Sequence, residues 1–255
     1  MENPSRYIPP NKSLILDRVT KRYGAVLAVA QVDLMTDDRE FVAIVGPTGC
    51  GKTTLLRLIA GLEKIDEGYI YIHGRCVNPE KPSRRGVRMV FQDNALWPHM
   101  RVFDKHFYSN LSFSMKIRNR PPREIGERVH TLSGRLGIAR RLYRRKPNQL
   151  SEGQKQIVGI GRAITVKPKI LLMDEPLSNI DPQHRLTLRK ELKDYHIEIK
   201  ATTIYVTHNL PEAFALADRI AMMREGKIIQ IDTPSRIRNH PASQFVRDFI
   251  RCSEM

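Results

Sequence analysis

The chain has 255 residues, 41% of them hydrophobic and 27% charged, and 43 Lys and Arg against 27 Asp and Glu give a net charge of +16. These values fit one large folded α/β domain, and they exclude a disordered chain. No apolar run approaches the ~18–20 residues of a membrane-spanning helix, and the N-terminal MENPSRYIPPNKS holds no apolar core of a signal peptide, so any work at a membrane is expected from its surface.

In chain order, the first apolar run is Phe41-Val42-Ala43-Ile44-Val45, which ends at Gly46. A strand apolar on both faces belongs to a buried, mostly parallel sheet, and the end of such a strand is where open α/β folds bind ligands. The next eight residues, Gly46-Pro47-Thr48-Gly49-Cys50-Gly51-Lys52-Thr53, fit G-x-x-x-x-G-K-[ST]. Glycines there let backbone N–H groups turn inward around a phosphate chain, Lys52 is placed to reach the β- and γ-phosphates, and the Thr53 hydroxyl is placed to ligate Mg²⁺. From Thr54 to Ala60 the sequence is a good helix, whose positive N-terminal end points at the anion. The spacing therefore predicts a nucleotide phosphate cradle, with ATP and Mg²⁺ as its ligands. Cys50 reads as a small side chain that fits the loop. With Cys76 and Cys252 it makes three cysteines, whose spacing suits neither a metal site nor a disulfide framework and points to a reducing compartment.

From about Asn94 to Gln149 the sequence is more basic and punctuated by Pro98, Pro121, Pro122 and Pro147, which predicts a mainly helical insert. Between Arg118 and Lys146 stand ten Arg or Lys against two Glu, half of the net charge. Only Tyr143 interrupts them as an aromatic, so the stretch reads as a solvated helical face and no nucleic-acid partner is expected. Ser151-Glu152-Gly153-Gln154 reads as a capping box, with Ser151 at the N-cap and Gln154 reaching back. A second buried strand, Ile170–Met173, ends at Asp174 and Glu175, where one carboxylate can hold a metal and the other can polarise an attacking water as general base. A third, Thr202–Val206, ends at Thr207 and His208.

Leu150-Ser151-Glu152-Gly153-Gln154 resembles the LSGGQ signature of ABC-type ATPases. Around it the other elements of that family stand in order from about Leu14 to Ile250. The resemblance implies that Tyr23 stacks on adenine, that Gln92 touches Mg²⁺ and links to the helical insert, that Asp181 belongs to the D-loop, and that His208 contacts the γ-phosphate. Ser151, Gly153 and Gln154 then face a γ-phosphate held by a second ATPase subunit, so the dimer partner, identical or not, closes over two ATPs. It further implies a P-loop NTPase (RecA-like) core with a mostly parallel sheet and an antiparallel β edge over 1–93 and 160–255, a helical subdomain at 94–159, and no C-terminal regulatory domain. Ala95-Leu96-Trp97-Pro98-His99-Met100 and Gln244–Ile250 look like binding-protein-dependent importers of sugars, polyamines or ferric iron. The chain is thus expected at the cytoplasmic face of the membrane, bound to transmembrane permease subunits and served indirectly by an extracytoplasmic solute-binding protein. Three departures stand out: Glu152 replaces the first signature glycine, Ile157 replaces an Arg, and Lys105–Ser109 looks like an insertion of about five residues.

Overall fold

The computed structural model describes Pro9 and residues 11–254. The first eight residues, which carry most of the N-terminal stretch read for a leader, lie outside the described residues, as do Pro10 and Met255. In chain order the elements are β1 (Lys12–Tyr23), β2 (Val26–Asp37), β3 (Phe41–Val45), α1 (Lys52–Ala60), β4 (Glu67–Ile72), β5 (Arg75–Cys76) and β6 (Val87–Val90). Then follow α2 (Phe113–Lys116), α3 (Pro122–Arg135), α4 (Glu152–Ile164), β7 (Ile170–Asp174), α5 (Pro182–Ile199), β8 (Thr202–Thr207), α6 (Leu210–Leu216), β9 (Arg219–Arg224), β10 (Lys227–Asp232), α7 (Pro234–Asn239) and α8 (Gln244–Glu254). The chain divides into two compact units, one of Met1–Val87, Lys169–Leu172 and Lys200–Met255, the other of Arg88–Pro168 and Met173–Ile199.

The first unit holds an antiparallel sheet in the order β2-β1-β4-β5 and most of a second sheet, in which β3 lies between β9 and β8 and β7 follows β8. β3 pairs in parallel with both neighbours, Val42 opposite Ile204 on one side and Arg219 on the other, while β9 and β10 are antiparallel. Every residue of β3 and β8 is buried, the pattern that strands apolar on both faces lead one to expect. Val45 of β3 sits opposite Thr207 of β8 and Met222 of β9, so three strands deliver their next residues to one edge.

In the second unit every regular element between Asn94 and Gln149 is helical: α2, α3, and single 3-10 turns at Arg140–Leu142 and Pro147–Gln149, joined by stretches of turn. α3 buries Ile125, Val129 and Leu132 at helical spacing and points its Arg and Glu residues outward. Arg128 is the exception. Its guanidinium donates to the carbonyls of Ile164 and Thr165 at 3.1 Å each and to the Tyr195 hydroxyl at 3.3 Å, so it satisfies orphan acceptors at the end of α4. Burial pushes the Tyr195 phenol up to about 12, which keeps it a neutral donor to the Ile164 carbonyl at 2.7 Å.

Candidate functional site

In the first unit the phosphate loop follows β3 and opens α1, as its spacing predicts. The Lys52 side chain is only 5% exposed, and its ammonium donates to the carbonyls of Gly46 and Pro47 at 2.8 Å each. The cation thus sits at the centre of the loop that Gly46, Pro47, Thr48, Gly49 and Cys50 form. Two glycines are required by close approach: a Cβ on Gly46 would stand 2.0 Å from the Met223 carbonyl oxygen, and one on Gly51 2.2 Å from that of Ala28. Gly51 is also the left-handed N-cap of α1, no side chain caps the helix, and its first turn, Lys52-Thr53-Thr54, holds no acid. The positive helix end is therefore left for an anion from outside the helix. Burial pushes the Cys50 thiol up from its ordinary value, and the Lys52 ammonium beside it works in the opposite direction.

His208 leaves β8 beside the point where Gly46 leaves β3, because Thr207 and Val45 are register partners. Its imidazole is exposed, and the turn that carries it is fixed on both sides: the Asn209 N–H donates to the Thr207 hydroxyl at 3.0 Å, and the Asn209 side chain caps α6 by accepting from the Glu212 N–H. Tyr23 ends β1 with its ring 45% exposed, opposite Val26 of β2. Ala28, whose carbonyl abuts Gly51, is two residues further along β2. That separation is about 7 Å at strand rise, so the ring belongs to the same neighbourhood as the phosphate loop. The first unit thereby gathers Tyr23, the loop and His208.

The second unit carries the remaining expected residues. Ser151 is the N-cap of α4 and the box is complete: the Gln154 N–H donates to the Ser151 hydroxyl at 3.3 Å, and the Ser151 N–H donates to the Gln154 side-chain oxygen at 3.2 Å. A Cβ on Gly153 would lie 3.3 Å from the Asn179 carbonyl oxygen, so this turn packs on the Ser178–Asp181 turn. Glu152 points its carboxylate to Lys155, 2.6 Å away. Asp174 ends β7 buried at 2% exposure, and Glu175 follows in the left-handed region with φ 44°, a strained conformation for a non-glycine residue. The Glu175 carbonyl accepts from both the N–H and the hydroxyl of Ser178, which holds that turn. Asp181 accepts from the His184 N–H at 3.0 Å and meets its ring nitrogen at 2.8 Å; those bonds hold its carboxyl below the usual range. Gln92 is exposed, just before two further left-handed residues, Asn94 and Ala95.

Sequence reasoning missed Arg162. It stacks over the Trp97 ring at 4.8 Å and donates to the Ala95 carbonyl, so α4 grips the turn that follows Gln92. The partners are 67 residues apart in the chain, and no local pattern joins them.

Thr53 in the first unit, and Gln92 and Asp174 in the second, carry hydroxyl, amide and carboxylate oxygens, the chemistry of the hard ligands that Mg²⁺ takes. Among the described residues no group of three or more His, Cys, Asp or Glu could hold a metal by itself. Phosphate oxygens would have to complete the shell, as is usual for Mg²⁺.

Residues 29–178 match the family described as ABC transporter. The chain is 46% identical over 238 residues to an osmoprotective compounds uptake ATP-binding protein of Synechocystis, covering 93% of this chain and 64% of that protein. It is also 46% identical over 237 residues to an sn-glycerol-3-phosphate import ATP-binding protein of Ralstonia nicotianae, covering 93% and 63%. It thus spans somewhat under two thirds of the length of these relatives. Among solved structures it is similar to the dimeric post-hydrolysis state of an ATP-binding cassette bound to ADP and Pi, at a TM-score of 0.78 and 29% identity, over 87% of this chain and 98% of that one. Phosphate loop, capped signature turn and matched family agree: the chain belongs to the ABC transporter family.

Proposed function

We propose that this chain binds and hydrolyses Mg-ATP and is the ATP-binding subunit of a solute importer of the sugar type. The observation that carries the reading is the buried Lys52 ammonium, 2.8 Å from two carbonyls of a glycine loop at the uncapped start of α1. Such a loop has a cation, a ring of backbone and a helix end, all suited to a phosphate chain. In this reading Gly46, Pro47, Thr48, Gly49, Cys50, Gly51, Lys52, Thr53 and Thr54 hold the phosphates, and Tyr23 stacks on the base. Thr53, Gln92 and Asp174 hold Mg²⁺, which when bound offsets the charge of the phosphate oxygens. Glu175 accepts the proton of the attacking water, and His208 orients the γ-phosphate. Ser151, Gly153, Gln154 and Asp181 serve the nucleotide of a second subunit.

The strained φ of Glu175 supports its role, since left-handed non-glycine residues concentrate where geometry is functional. The import and uptake proteins matched above support the transporter assignment. A peripheral place for this chain at the cytoplasmic face of the membrane, transmembrane permease subunits as partners and, indirectly, an extracytoplasmic solute-binding protein follow from that assignment. The same reading places the nucleotide-binding core at 1–93 and 160–255 and the helical subdomain at 94–159. No described helix is long and apolar enough to cross a membrane.

The test is the Mg-dependent phosphate release of the purified chain. Glu175→Gln should lower kcat by about 10²-fold or more while ATP still binds, the loss expected of a general base. Lys52→Ala should abolish binding itself. Turnover that survives Glu175→Gln unchanged would remove Glu175 from the mechanism, and absence of turnover in the wild-type chain with ATP bound would favour a non-catalytic partner in a heterodimer, a reading that Glu152 in the signature already suggests.

A further inference from the structure

Tyr23 ends β1 on the tip of a hairpin, where an aromatic ring has few neighbours to fix it. The residues just before it are nonetheless held by three bonds to one residue of another segment, one through its backbone and two through its carboxylate. Asp66, immediately before β4, donates its N–H to the Thr20 carbonyl at 3.0 Å, accepts from the Arg22 N–H at 2.6 Å, and accepts from the Lys21 ammonium at 3.0 Å. The bond to Asp66 holds the Lys21 ammonium in place. Its ammonium lies 5.3 Å from the Tyr23 ring centroid, as period-two alternation allows for residues 21 and 23. The Lys21 side chain is only 12% exposed, and the bonds from Arg22 and then Lys21 hold the Asp66 carboxyl below its ordinary range. The arrangement fixes the backbone that enters Tyr23 and covers one face of its ring with a cation, so a stacking partner has the other face.

We infer that Asp66 and Lys21 are positioning residues for the nucleobase: Asp66 clamps Lys21 and Arg22, and Lys21 backs the Tyr23 ring so that its free face meets the purine next to the phosphate loop. The inference rests on the Mg-ATP reading and adds to it which residues outside the known motifs set the base platform. Neither residue belongs to the phosphate loop. Their contribution is therefore confined to ligands that carry a base, and it vanishes when the ring is removed.

The experiment is calorimetric titration of the full chain with Mg-ATP and, separately, with Mg-tripolyphosphate, which has no base. The proteins are wild type, Asp66→Ala, Lys21→Met, Tyr23→Ala and the Asp66→Ala/Tyr23→Ala double variant. Asp66→Ala and Lys21→Met should each weaken ATP about three- to tenfold, a fraction of what stacking on an aromatic supplies. They should leave tripolyphosphate unchanged, and Asp66→Ala should cost nothing further once Tyr23 is Ala. Asp66→Glu should restore part of the loss. Parallel weakening of ATP and tripolyphosphate would make Asp66 merely structural and overturn the inference. So would unchanged ATP affinity, or a full Asp66→Ala effect in the Tyr23→Ala background. The phosphate reading fails separately: it falls if wild type binds neither ligand or if Lys52→Ala binds both as well as wild type.

Discussion

Cys50 shows how a reactive side chain is quietened by its surroundings. The thiol is 7% exposed inside the phosphate loop, and burial raises its pKa, so at about pH 8 less of it is thiolate than in a free cysteine. Cys252 is exposed. Peptide mass spectrometry after limited iodoacetamide treatment at about pH 8 should therefore find Cys252 modified well before Cys50, with Cys50 catching up as the pH is raised through the thiol range. Where Cys50 is alkylated, the added bulk should block nucleotide binding, and ATP added beforehand should protect it. Equal labelling of both cysteines at the lower pH would contradict the burial argument. Glu152 has a close partner: Lys155, one turn along, donates to its carboxylate at 2.6 Å, so the departure from glycine brings a paired charge to the start of α4. An acid in the first turn also suits the helix dipole.

At the scale of elements, the strands and turns with local signals were legible. β3 and β7 carry unbroken apolar runs, β8 is rich in β-branched and aromatic residues, each run ends at glycine or polar residues, and all three strands are buried throughout. The phosphate loop and the Ser151 box were legible because their chemistry closes within eight residues or fewer. β1 was not. Its pairing with β2 shifts register between Leu16 and Val19 and again between Val19 and Lys21, with Arg18 at φ 48°, so alternation breaks where a reader of sequence would look for it. Contacts between distant segments were invisible for the same reason that they matter: Lys21 meets Asp66 across 45 residues, and Arg162 meets Ala95 across 67. Arg85 belongs to this class too. It is 5% exposed, and its guanidinium donates to the Leu58 and Ile59 carbonyls at 2.8 and 3.0 Å and to the Glu80 carbonyl at 3.1 Å, fastening the C-terminal end of α1. Arg85→Met should destabilise the chain by about 2–4 kcal/mol, because it strips buried carbonyls of charged donors. Urea unfolding checks this, and a loss under ~0.5 kcal/mol would show that solvent or neighbours replace those bonds.

At the scale of the whole molecule the net charge is +16. A dimer of two such chains, if the proposed closure over ATP pairs identical copies, would have to overcome a mutual repulsion that extends over a Debye length of about 8 Å at physiological ionic strength. ATP offsets some of that charge, and salt screens the rest. The Glu175→Gln chain with ATP should therefore form dimers that light scattering detects, and the dimer fraction should rise as salt increases from about 0.02 to 0.15 M. A fall over that range would mean that the interface is dominated by opposite charges paired across it. The basic stretch from Arg118 to Lys146 contributes half of the excess, and part of it is already engaged: Arg120, Arg123 and Arg135 pair with Glu124, Glu127 and Glu198, and Arg128 serves the end of α4.

The contact between Gly51 and Ala28 bears on how this chain can drift over generations. Position 51 has a carbonyl oxygen 2.2 Å from where any side chain would begin, and its φ is 104°. Two positions earlier, Gly49 has φ 81° but nothing within 4 Å of its would-be Cβ. In a library that randomises every codon of the loop, position 51 should return glycine alone. Position 49 should also admit Asn and Asp, which tolerate left-handed backbone, as viable alleles.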